Sequence, residues 1–199
     1  MDCAAIGVRM HSGWGALVAV SINAGQVEIL DRRLLTLIVP ETRGAKQPYH
    51  FAESLEFPEA QRFINQCFAA SLKLATAGLQ QAADELRKRK YRVTGTAVLR
   101  ASGRPLPPLS KILASHALIH AAEGEFFRDI IFKACDGLDL AVTGIRERDL
   151  EDHLQREFGK AASRMQQQVS EAGRSLGPPW TQDQKTAALA ALAVLGNRR

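Results

Sequence analysis

Residues 4–21 read AAIGVRMHSGWGALVAVS, and this stretch decides the fold. Two apolar runs, 4–10 and 14–21, flank the polar break His11-Ser12-Gly13, the pattern of two strands joined by a tight turn. Asn23-Ala24-Gly25 is a second turn signal. Residues 26–38 (QVEILDRRLLTLI) then alternate as a strand does, with Val27 and Ile29, then Leu35 and Leu37, on one face. Three consecutive strands with short links predict an antiparallel meander. Where the first strand ends, the stretch carries Arg9, His11 and Ser12, and no acid.

Working outward, residues 40–57 are polar and turn-rich and read as a long connection. A helix is predicted from about Pro58 to Lys90, with Phe63, Cys67, Ala70, Leu74 and Leu79 as its apolar stripe and the basic segment RKRKYR at its end. Residues 92–99 form a fourth strand, and 100–110 (RASGRPLPPLS) a proline-stiffened loop. A second helix is expected from about Leu109 to Cys135, a strand at 138–145 and a helix at 149–158. Residues 160–179 hold polar helix and then the breaker Gly177-Pro178-Pro179. A last, Ala-rich helix at 181–195 is apolar on nearly every face after Lys185, so it should be buried against the sheet. The order βββ-α-β-α-β-α plus a terminal helix predicts one α/β domain over 1–199, a five-stranded mixed sheet with helices on both faces.

Composition narrows the class. The chain has 199 residues, 46% hydrophobic and 24% charged, as in soluble globular proteins rather than disordered ones. No apolar run approaches the ~20 residues that span a bilayer, so no membrane association is expected. Asp2, Arg9 and His11 interrupt any leader-like pattern at the amino terminus. Cys3, Cys67 and Cys135 are odd in number and far apart, which reads as reduced thiols in a cytoplasmic protein. A net charge of +5 admits DNA or RNA as a partner. No cofactor and no oligomeric state are indicated.

The element order and three segments resemble the ribonuclease H-like superfamily, specifically its RuvC-type branch of Holliday-junction resolvases. IGVRMHSG-WGALVAV is similar to that family's opening strand and hairpin. VLRASGRPLPPLSKILASHALIHAAEGEFF is similar in layout to the strand, loop and helix around its second catalytic acid. DQKTAALAALAVL is similar to its last helix. The resemblance implies a five-stranded mixed sheet with strands 1–3 antiparallel. It also implies phosphodiester hydrolysis by two Mg²⁺ ions held on carboxylates. Carried over by position, the first acid falls at Arg9, the second near Thr94 or Thr96, and the last pair at Asp183 and Thr186, so Asp183 alone is retained. A guanidinium at a metal position repels a divalent cation. The expectation is a RuvC-related nucleic-acid-binding protein without the standard nuclease site. A looser similarity joins the opening hairpin to actin-like ATPases, but HSGW is short for their phosphate loop and lacks an acid.

Two groups of residues carry the remaining chemistry. Arg9, His11 and Trp14 suit phosphate contact and base stacking, with Arg100, Arg104 and the RKRKYR cluster as further anion contacts; the bland alternative is a tight turn with Trp14 at its rim. His116 and His120 share a helix face with Glu123 one turn on, a pattern open to catalysis or to a divalent metal, or else two histidines at the edge of the core. With Asp183 they define the competing reading, an enzyme acting on a phosphorylated small molecule or nucleotide. A third is an inert partner-binding scaffold. Gly124, costly inside a helix, suggests that another backbone approaches closely. The RuvC layout predicts that Arg9 or His11 lies within reach of His116, His120 or Glu123. It also gives Arg9 a counter-charge from Glu123, Glu125 or Asp183.

Overall fold

A computed structural model describes residues 1–100 and 105–195. Strands β1 (Asp2–His11), β2 (Trp14–Asn23) and β3 (Gln26–Thr36) form the meander. Ser12 and Gly13 link the first pair, with His11 opposite Trp14. Ala24 and Gly25, both at positive φ, close the second, the backbone that a two-residue hairpin requires. Helix α1 (Pro48–Ala52) and the long α2 (Phe57–Lys88) precede β4 (Tyr91–Arg100). Then come α3 (Leu109–Leu113), α4 (His116–Gly137), β5 (Val142–Arg146), α5 (Leu150–Phe158), α6 (Ala162–Glu171), α7 (Gly173–Leu176) and α8 (Gln182–Leu195).

The sheet order is β3-β2-β1-β4-β5, with β1 antiparallel to β2 and parallel to β4. On one face, Ile6, Val8, Leu17 and Val98 pack with α2 and α4. On the other, Ala5, Val18, Ala97 and Leu99 pack with α5, α6 and α8. Gly7 sets the second layer: a Cβ there would lie 1.8 Å from the Ala187 carbonyl oxygen. Only glycine lets α8 settle this deeply on β1.

Four sequence expectations are corrected. Residues 40–57 are not bare connection, because Pro48 starts α1 and Pro48 and Ala52 are buried. The stripe on α2 is rotated: Ala60, Ile64, Cys67, Ser71, Ala75, Leu79, Ala82 and Leu86 are buried, while Ala70 is exposed. Phe63 and Leu74 flank the stripe, packed against the core but only partly buried, while its centre combines Ile64, Leu79 and Leu86 with small residues. The helix expected over 109–135 is two, broken at Ala114-Ser115, where the chain turns before His116. The fifth strand begins at Val142 rather than 138, since Leu138 and Leu140 pack as connection.

Candidate functional site

β1, β4 and β5 run parallel and end on the same side of the sheet, and the polar residues of interest gather there. Arg9 lies on the α8 face of β1. Its Nη1 donates to Asp183 Oδ1 and its Nη2 to both oxygens of Glu147, at 3.0 and 3.2 Å. Asp183 stands in the first turn of α8, which is capped by reciprocal contacts of Thr181 and Gln184. His11 Nε2 lies 3.1 Å from the same Asp183 oxygen, and its ring stacks on Trp14 at 4.4 Å. Burial pushes the Asp183 pKa up, but the hydrogen bonds and charges of His11 and Arg9 outweigh it and hold the carboxyl below its ordinary value. Thr186, one turn beyond Gln182, is buried with its hydroxyl donating to the Gln182 carbonyl at 2.8 Å.

The α4 face of the same strand end opens into a cleft of about 310 Å³, lined by Met10, His11, Ser12, Gln47, His50, His120, Glu123, Gly124, Phe127 and Arg128. Glu123 is buried. Its Oε1 accepts the backbone N–H groups of Tyr49 (2.8 Å) and His50 (3.0 Å) and lies 3.2 Å from His50 Nδ1. Its Oε2 is buried without a hydrogen-bond partner among the described residues. Desolvation raises the Glu123 pKa, against the opposing hydrogen bonds from His50 and Tyr49. His50, His116 and His120 converge, with His116 Nε2 and His120 Nε2 3.0 Å apart.

Arg128 is half-buried, and its Nε donates to the Leu99 carbonyl at 2.9 Å. Among the described residues it makes no ion pair, and desolvation lowers its pKa. A Cβ on Gly124 would meet only Arg128 Nη1, at 3.7 Å. This glycine admits no second backbone; it keeps the cleft open beside the guanidinium.

The structure thus divides the expected composite site between the two faces of β1, with His11 touching both. Asp183 is the counter-charge to Arg9, joined by Glu147, which the sequence reading missed. Glu123 turns instead to His50, and Glu125 to Arg100, each pair at 3.2 Å. Arg100 also pairs with Asp129 at 3.2 Å and sits 4.2 Å over the Phe132 ring, on the side of the sheet away from Arg9. Arg104 lies outside the described residues. The RKRKYR cluster is at the opposite end of the sheet, because Tyr91 pairs with Asp2. At ~3.3 Å per residue it is roughly 23 Å from the level of Arg9. Register also separates the first two expected acid positions. Thr96 is level with Ile6 and Val98 with Val8, which leaves Thr94 and Thr96 about 10 Å or more short of Arg9 along the strands.

His50, Glu147 and Arg128 were the residues missed. His50 hides in what reads as loop. Glu147 lies in a charge-rich run, 146–149, with no pattern to single it out. Arg128 is one turn beyond Gly124 on the same helix, and that spacing was the available signal.

No family model and no curated protein sequence matches the chain. Among solved structures, it is similar to the RuvC of Thermus thermophilus in complex with a Holliday junction substrate. That match has a TM-score of 0.53 and 11% identity, and covers 96% of this chain and 91% of that one. A second RuvC structure from Thermus thermophilus matches at a TM-score of 0.50, again at 11% identity and with the same coverage. A Ppx/GppA-family enzyme from Aquifex aeolicus aligns at a TM-score of 0.39 and 13% identity, over 82% of this chain and 41% of its own. The chain has the ribonuclease H-like α/β fold, with the five-stranded mixed sheet and flanking helices of RuvC.

Proposed function

We propose that the chain is a RuvC-related nucleic-acid-binding protein in which a fixed guanidinium replaces the cations of two-metal hydrolysis. The observation that carries this reading is the pairing of Arg9 with Asp183 and Glu147 at the carboxyl end of β1. The carboxylate retained from the family's set is held by an internal cation. Around it stand His11, the inward-bonded Thr186 and Glu147, and the guanidinium of Arg9 occupies the space between the two carboxylates, where it repels a pair of Mg²⁺ ions. The contact to phosphate then falls to Arg128, which borders the cleft beside Ser12 and His11. The TM-score of 0.53 against a junction-bound RuvC and the net charge of +5 support a nucleic-acid partner.

The test is a binding titration over a salt series, paired with a cleavage assay in Mg²⁺ or Mn²⁺. Four-way junction, duplex and RNA–DNA hybrid should be bound but left intact. Affinity should fall steeply with salt as counterions re-bind. Arg128→Gln should weaken binding to all substrates and reduce the salt slope by about 1. Metal-dependent cleavage that disappears in Asp183→Ala overturns the reading, as does a flat salt response.

The competing reading, an enzyme acting on a phosphorylated small molecule or nucleotide, rests on the polar cleft that joins His11, His50, His120, Glu123 and Arg128. Turnover of generic phosphoesters that is lost in His120→Ala, with no nucleic-acid binding at low salt, would favour it.

A further inference from the structure

We propose that His50, His116 and His120 form a binding site for a divalent transition metal, with zinc as the ion best suited to it. His116 and His120 project one turn apart from the start of α4, and His50 comes to them from α1. Ring centroids are 4.5 Å apart for His116–His120, 4.7 Å for His50–His120 and 5.6 Å for His50–His116. One ring nitrogen from each residue lies within 4.8 Å of the other two. A tetrahedral zinc with Zn–N bonds of about 2.0–2.1 Å places its donors roughly 3.3–3.4 Å apart. Closure onto an ion therefore asks for side-chain shifts on the order of an ångström.

A second observation comes from behind the cluster. Glu123 Oε1 is 3.2 Å from His50 Nδ1, and two backbone N–H groups fix that oxygen in place. A proton on Nδ1 directed at Glu123 leaves Nε2 with its lone pair exposed, the tautomer that a metal ligand needs. A carboxylate behind a histidine is the common outer support of zinc sites. Glu123, which the sequence grouped with His116 and His120 as a direct donor, therefore acts as the positioning residue for His50. Three neutral imidazoles disfavour Mg²⁺ and Ca²⁺, which prefer oxygen donors. They also leave a four-coordinate ion one position for water or an anion. This site is separate from the Arg9–Asp183 pair and does not depend on nucleic-acid binding.

The full chain, stripped with chelator, should take up one equivalent of Zn²⁺ by calorimetry, and Co²⁺ should give the intense visible absorption of a four-coordinate site. The thermal midpoint should rise on adding zinc. His116→Ala and His120→Ala, at exposed positions, should each weaken zinc binding at least 100-fold while the metal-free midpoint stays near the parent's. His50→Ala should weaken zinc binding as much but also lower the metal-free midpoint, because buried Glu123 loses its side-chain partner, and Glu123→Gln should cost 10- to 100-fold. Absence of saturable zinc binding overturns the proposal. So does parental affinity in both His116→Ala and His50→Ala, which would place the ion elsewhere. Nucleic-acid binding by the stripped protein tests the earlier reading alone, so the two fail independently.

Discussion

Asp183 takes hydrogen bonds from Arg9 and lies against His11 on one oxygen, at a half-buried position. Because its folded pKa is lowered, its stabilisation is fully present above the ordinary aspartate value of about 3.9 and is lost as pH falls through the lower folded value. Asp183→Asn should therefore cost about 1 kcal/mol at neutral pH, a figure reduced for solvent screening. The gap between parent and variant should stay constant above about pH 5 and begin to narrow as pH falls below about 4. Thermal melts over a pH series read this directly, and a gap that does not narrow as pH falls below about 4 would contradict it. Arg9, His11 and Asp183 were all legible as polar residues at the ends of apolar elements. Glu147 was not, because an acid in a run of charges has no spacing that marks it. His50 was invisible for a related reason: α1 has only five residues, too few for a helical period to emerge.

At the scale of elements, the seat of α8 on β1 governs where Asp183 stands. Ala187 is one turn beyond Asp183, and it meets β1 at Gly7, two residues before Arg9. Gly7→Ala should force the helix outward and destabilise the fold by about 3 kcal/mol or more. Urea denaturation should show this as a lowered midpoint, and the Arg9–Asp183 pair should be lost even in molecules that remain folded. The meander, α2, β4 and α8 were readable because each has a long, consistent pattern of apolar residues. The break at Ala114-Ser115 was not, since neither residue is a strong helix breaker and the apolar spacing runs through it. The register of β4 against β1 was also hidden. It depends on pairing between strands more than 80 residues apart in sequence, so the distance of Thr94 and Thr96 from Arg9 could not be read.

Across the whole molecule, β1 is the central strand, hydrogen-bonded to β2 on one side and β4 on the other. Layers of helix cover both of its faces. Arg9 and His11 are thus carried by the part of the sheet with the least freedom to open, whereas β3 lies at an edge and carries the solvent-facing Leu34. Amide hydrogen exchange should report this gradient. The N–H groups of residues 5–9 should exchange only through global unfolding, with the protection of the full stability, while those along the outer side of β3 exchange sooner by local opening. Protection factors measured residue by residue would check it, and fast exchange in β1 would refute it. The polar constellation at the strand end then persists for as long as the protein stays folded: its lifetime is that of the native state itself, not that of a loop.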